Sequence, residues 1–401
     1  MAGTRRSFLS LGASVLAAGA TGHAGLQART ERQAIEPPQP WFLARLPRLL
    51  EVSGTPGYAA VVLQRGRIVW EHYAGLVTAG EPAAVTRDTM WPAASLGKPV
   101  FAAAALSLVS AGTLDLDTPL HEYLSDHAAA DDRTRRITAR HVLSHTSGLP
   151  NWRTTSQSLV SDFEPGARFS YSGEGYYFLQ AVIERLTGLG IQQVMSRALF
   201  EPVGMTSSTC TWRNDVAARL VGGHARGVPR PNSAAELAAR LLGDAVARGR
   251  SLDAYSGTDV REAMARIPNA PPALPILVIP NVAGSLLTTP RDYAAFVAAV
   301  LDPSGKAFTL SPAVRAEMTK PQIALNSQMG WGLGWGLETH VGAPPTLWHW
   351  GDNGNWKNFV LVEPADNSAV VVFTNSAQGM NVAERLITAC TGVDHVAFQW
   401  L

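Results

Sequence analysis

The chain of 401 residues is 46% hydrophobic and 16% charged, which describes a globular protein with a large buried core and excludes a disordered one. A formal net charge of +1 gives no reason to expect nucleic acid or an anionic surface as a partner. No internal repeat or low-complexity tract is visible.

The chain opens MAGTRRSFLSLGASVLAAGA. Arg5 and Arg6 precede an apolar stretch, Phe8 to Ala20, that is too short to span a bilayer comfortably. This start resembles a twin-arginine export signal, with small residues at Ala18-Gly19-Ala20 and a later cleavage choice at Gln27-Ala28. The expectation is a signal over residues 1–28, a linker over 29–45, and a periplasmic or secreted mature protein. No later segment reads as transmembrane. Cys210 and Cys390 are the two cysteines, and buried free thiols are the expectation for both.

Next in chain order, GYAAVVLQRGRIVWEHYAG reads as two strands with a turn at Arg65-Gly66. Helical patterns follow at Phe101–Ala111, closed by Gly112, and at Tyr176–Leu186, closed by Gly188. A new element starts after Asp117-Thr118-Pro119. Residues 234–248 and 258–266 read as helices, and the prolines between Pro268 and Pro280 break the pattern. The C-terminal third turns to strands: NFVLVEP and SAVVVFTN around Pro364-Ala365-Asp366-Asn367 make a hairpin, and MNVAERLITACTG closes as a helix. Strands at both ends with helices between them imply an α+β fold (mixed α/β), with an antiparallel sheet built from both chain ends. Residues 46–112 and 282–401 are expected to form the α/β sheet domain, and 113–281 an inserted helical domain.

Ser95-Leu-Gly-Lys98 sits in WPAASLGKPV and uses one of the chain's four lysines. Positions i and i+3 of a helical turn share a face, so Lys98 reaches the Ser95 hydroxyl. A serine needs such a base, and a lysine serves as one when burial or a nearby cation lowers its pKa toward about 7–8. The pair alone is a weak motif. Its companions come in order: RHVLSHTSGLP, FSYSGEGYYFLQAVIERLTG, FEPVGMTSST, AGSLLTTPRDYAAFV, GWGLGW and WHWGDNGNWKNFVLVEP. This series resembles the serine β-lactamase and penicillin-binding-protein superfamily, on its class C-like and esterase side, over roughly residues 50–390.

The resemblance implies a β-lactamase/transpeptidase-like fold and a covalent acyl-enzyme. It makes Ser95 the nucleophile, with Lys98 and Tyr171 moving its proton, and leaves open which of the two is the base. If cationic lysine lies close, the phenolate of Tyr171 becomes more accessible. His349-Trp350-Gly351 stands where the family has Lys-Thr-Gly or a variant. On a strand His349 and Gly351 share a side, and glycine lets a substrate approach the backbone. The resemblance pairs the N–H groups of Ser95 and Asp352 as the oxyanion hole.

Two departures bear on substrate. Gly173 replaces the asparagine that would hold an amide, and His349 replaces the lysine that would meet a carboxylate. Both argue against efficient β-lactam hydrolysis unless Lys357 or an arginine supplies the missing charge. Trp331, Trp335, Trp348, Trp350 and Trp356 cluster around this motif and are expected mostly to pack, with one or two, Trp350 foremost, at the mouth of the site. Residues 227–280 read either as a cap or as plain helical packing. His141 and His145 stand four apart but lack a third metal ligand, so helix packing is the reading. No Gly-x-Ser-x-Gly elbow points to an α/β-hydrolase. The expected protein is a serine hydrolase without cofactor or metal, acting on a small ester or amide. Carboxylesterase comes first, D-amino-acid peptidase, amidase or weak β-lactamase second, and a binding protein that kept the pocket is the alternative of another class. Oligomeric state is not legible.

Overall fold

The computed structural model describes residues 34–124, 131–153, 158–270, 280–302, 304–306, 308 and 310–401. The expected export signal lies outside these residues. The linker reading meets a difference: Pro40–Ser53 is a helix, with Leu46 buried. Pro40 occupies its first turn, where the missing N–H costs nothing, so a residue read as a linker signal instead starts a helix.

Eight antiparallel strands form the main sheet, in the spatial order Arg67–Gly75, Gly57–Gln64, Ser368–Thr374, Lys357–Glu363, Ala343–Asp352, Gly336–His340, Met329–Trp331 and Ile323–Ala324. The first strand pairs with the last, from Tyr58 opposite Thr374 to Leu63 opposite Ala369, so the two chain ends close the sheet together. The expected hairpins at Arg65-Gly66 and at 364–367 are both present. The strands around GWGLGW were not anticipated, because their glycines hide the alternation of side chains.

Both faces of the sheet are covered, which is why its central strands read as continuous apolar runs. Ala59, Val61, Val360 and Val371 pack with residues of the helices Gly97–Ser110 and Pro290–Leu301. Ala60, Val62, Leu361 and Val372 pack with the helices Pro40–Ser53, Gly379–Thr391 and Val396–Trp400. Cys210 belongs to the first core and Cys390 to the second; both thiols are free and buried. The helices Ser233–Ala247 and Gly257–Arg266 gather a third core around Trp212 and Tyr255. Among the described residues no helix is long and apolar enough to cross a membrane.

Candidate active site

Ser95 lies on a short turn, Ala94–Leu96, that runs straight into the helix Gly97–Ser110. Ala94 precedes it at φ 53°, a left-handed conformation that costs a non-glycine residue about 1–2 kcal/mol. Three bonds hold the turn in place. Asn358 Nδ2 donates to Pro92 O at 2.9 Å, Ala93 N to Leu286 O at 2.8 Å, and Tyr293 Oη to Leu96 O at 3.1 Å. Gly97 suits a close approach, since a Cβ there would lie 3.0 Å from Val282 O.

The helical spacing brings Lys98 Nζ to 3.1 Å from Ser95 Oγ. Nζ also donates to Ala283 O at 2.8 Å and lies 4.8 Å from the centre of the Tyr171 ring. Lys98 is 1% exposed, and burial lowers its pKa from 10.5 to about 7. An amine in this state takes a hydroxyl proton near neutral pH.

Tyr171 precedes the helix Gly173–Thr187, whose N-cap is Ser172. Burial raises the Tyr171 pKa, more than the nearby Ser95 hydroxyl lowers it, so the phenol keeps its proton. His145, read as helix packing, instead forms the wall behind this tyrosine. Its ring stacks on Tyr171 at 4.2 Å, and its Nδ1 accepts the Ser172 N–H at 3.1 Å. Burial, with Lys98 and His349 adding to it, holds His145 neutral. His141 turns away to cap its own helix, Ala139–Leu143, and no metal-holding cluster exists among the described residues.

The third motif lies on the strand Ala343–Asp352, but its residues divide differently from expectation. His349 is fully buried and does not line the cavity. Its Nδ1–H donates to Trp350 O at 2.7 Å, and burial followed by the charge of Lys98 lowers its pKa to about 3. Gly351 gives clearance to protein rather than to substrate: a Cβ there would lie 2.3 Å from Ala93 O. Gly173 likewise makes room for Trp152, whose ring would be 2.4 Å from a Cβ. Trp350 and Asp352 do line the cavity, and Trp350 packs on Tyr171 at 4.8 Å. Lys357, the candidate for a free cation, is ion-paired with Asp352.

Ser95, Lys98 and Tyr171 open into a cavity of about 560 Å³. Trp152, Trp212, Trp350 and Trp356 supply its aromatic walls, while Trp331, Trp335 and Trp348 are buried in packing. Residues 231–235, from the segment 227–280, are among those that line it. Lys98 and Asp352 are the charged side chains among the described residues that line it. Asn151, Asn281, Asn353 and Asn355 add neutral polar groups. Sequence reading missed His145, Trp152, Trp212 and the Ala283 carbonyl, which reach the site only through tertiary packing.

A model of the beta-lactamase family matches residues 43–389. The chain is 30% identical over 181 residues to esterase EstB of Burkholderia gladioli, covering 37% of this chain and 45% of the esterase. It is 27% identical over 349 residues to penicillin-binding protein 4 of Amycolatopsis lactamdurans, covering 80% of this chain and 81% of that one. Among solved structures, EstCE1, a hydrolase with promiscuous acyltransferase activity, superposes with a TM-score of 0.67 at 18% identity, covering 87% of this chain and 97% of its own. With the family match spanning most of its length and the antiparallel sheet built from both ends, the chain belongs to the beta-lactamase family.

Proposed function

We propose that this protein is a serine hydrolase that cleaves small carboxylic esters through an acyl-enzyme on Ser95. The observation that carries the reading is the pairing of Ser95 Oγ, at 3.1 Å, with a buried Lys98 amine whose pKa is about 7. Neutral Lys98 takes the Ser95 proton as Oγ attacks the acyl carbon. The backbone N–H groups of Ser95 and Asp352 receive the oxyanion. Tyr171, kept as a phenol, passes a proton to the departing alkoxide and recovers one from the lysine ammonium. Water then attacks the acyl-enzyme by the same proton path in reverse.

The ester reading over a carboxylate-bearing substrate rests on charge. A β-lactam or a peptide ending in D-alanine brings a carboxylate, and the cavity meets it with Asp352, while Lys357 is held by that same residue. The similarity to esterase EstB supports the same side of the family. Export by the twin-arginine route remains part of the proposal, on Arg5 and Arg6 and the apolar stretch after them.

The test compares turnover of a short-chain p-nitrophenyl ester, a chromogenic cephalosporin and a D-alanine anilide, with Ser95→Ala as control. Ester turnover that disappears in the variant is the expected result. Dominant turnover of the cephalosporin or the anilide sinks the ester reading, and no Ser95-dependent turnover of any of them points to a binding protein.

A further inference from the structure

We infer that Gln180 is a positioning residue for Lys98: its amide clamps the loop that presents the Ala283 carbonyl to Nζ. The inference rests on the proposed role of Lys98 as the base.

Gln180 lies seven residues into the helix Gly173–Thr187, the helix that Tyr171 precedes, and it is fully buried. Its Oε1 accepts the Val282 N–H at 3.0 Å, and its Nε2 donates to Pro280 O at 3.2 Å. One side-chain amide thus pairs with the backbone on both sides of Asn281, as a neighbouring strand would. The orientation of the amide is determined, because Val282 N only donates and the third partner, Glu184 Oε1 at 3.1 Å from Nε2, accepts. Glu184 is fixed in turn by the Gly257 N–H at 3.0 Å.

The clamped backbone continues directly into Ala283, whose carbonyl accepts from Lys98 Nζ at 2.8 Å. Other bonds shape the loop itself: Asn281 Oδ1 accepts the Ala283 N–H at 2.9 Å, and Asn353 Nδ2 donates to Gly284 O at 3.0 Å. Gln180 ties the loop, through two hydrogen bonds, to the helix that follows Tyr171. A single rigid helix therefore sets both the phenol and the acceptor that orients the amine. With one N–H of a neutral Lys98 committed to Ala283 O, its lone pair is free to face Ser95 Oγ. An amine without that anchor rotates, and productive orientations become a minority. The groups facing Lys98 are Tyr171, Tyr176, His145 and His349, and all four are neutral at pH 7. Around Gln180 the titratable neighbour is Glu184, whose pKa burial raises to about 7, with the Arg261 guanidinium beyond it.

The experiment measures the second-order rate of Ser95 phosphonylation by a fluorophosphonate, between about pH 5 and 9, together with thermal unfolding. This readout needs only the Ser95–Lys98 pair, so it stands even if p-nitrophenyl esters prove not to be substrates. Gln180→Met removes the amide at similar volume. Its rate at the alkaline plateau is expected to fall about tenfold or more. Its half-maximal pH is expected to move down by about half a unit, because the ammonium loses an acceptor that the neutral amine needs less. A purely structural glutamine lowers the unfolding temperature and leaves both kinetic quantities alone. Gln180→Glu is the second variant, decisive if the first does not fold. A protonated carboxyl keeps an acceptor for the Val282 N–H and one donor for Pro280 O, losing only the second donor that the amide gives Glu184. The rate at the acid end is therefore expected to come closer to wild type than that of Gln180→Met and to drop once the carboxyl ionises beside Glu184. A folded Gln180→Met with a plateau rate within about twofold of wild type, or with a half-maximal pH that stays or rises, or a folded Gln180→Glu whose rate does not drop as its carboxyl ionises, overturns the inference.

Discussion

The Trp152 indole fills the space beside Gly173, where any side chain would begin 2.4 Å from the ring. Glycine at this position leaves room for the Trp152 ring, which stands where a side chain at 173 would otherwise reach. Gly173→Asn alone is expected to lose about 1–3 kcal/mol of stability by overpacking and to lower ester turnover without creating cephalosporin hydrolysis. Gly173→Asn combined with Trp152→Ala is expected to regain much of the stability. Urea unfolding of both variants checks this. A single variant as stable as wild type and active on the cephalosporin contradicts it.

Lys98→Met is expected to move activity and stability in opposite directions. Ester kcat/KM drops by about 10²–10⁴-fold with the base gone. Stability rises, and the sign follows from the titration. The native pKa of about 7 lies below the ordinary 10.5, so between these values the unfolded chain holds more protons and wild-type stability climbs with pH. Below pH 7 the whole cost of the buried ammonium is present. The gain on substitution there is capped at roughly 5 kcal/mol, less about 1–3 kcal/mol for the Ala283 carbonyl left without its donor. It shrinks as pH rises toward 10.5. Urea unfolding at pH 6 and 9 reads it, and a variant less stable than wild type at pH 6 refutes it.

What could be read from the residues alone follows a physical line. Ser95 and Lys98 are legible because a helical turn fixes their separation whatever the rest of the chain does. The strands Gly57–Gln64 and Ser368–Thr374 are legible because both faces are buried and the runs are continuous. For the third motif, side-chain alternation gives a shared side for His349 and Gly351 but not what covers it. Here the cover is the turn at Ala93 and the rings of Tyr171 and Trp331, not substrate. Ala283 contributes a backbone carbonyl, which has no residue signature. Gln180 and His145 act through neighbours more than twenty residues away, a relation set by packing.

Glu184 gives the opposite pH signature to Lys98. It is 8% exposed, and burial raises its pKa from 4.5 to about 7 against the hydrogen bonds from Gly257 and Gln180. The native protein holds the extra proton between these values, so its contribution to stability is full below pH 4.5 and is lost as pH rises through 7. The loss amounts to roughly 3 kcal/mol. Glu184→Gln is uncharged at every pH, and its stability is expected to be flatter between pH 5 and 7. Equal slopes for variant and wild type in urea unfolding rule this out.

Asp352 and Lys357 form an ion pair at the edge of the cavity, with Asp352 43% and Lys357 17% exposed. The pair is what keeps carboxylate-bearing substrates out in this reading, by repulsion from one partner and neutralisation of the other. Asp352→Asn removes the repulsion and frees the Lys357 ammonium, while the backbone N–H of residue 352 stays where it is. The ratio of cephalosporin to ester kcat/KM is expected to rise about tenfold. Adding Lys357→Met is expected to cancel most of that rise, because the freed cation, and not the lost carboxylate alone, supplies the attraction. Raising the salt concentration is expected to shrink the single variant's gain, since both groups are partly exposed and screened. A ratio that stays at the wild-type value in Asp352→Asn shows that shape, and the Trp152 wall in particular, excludes such substrates instead of charge.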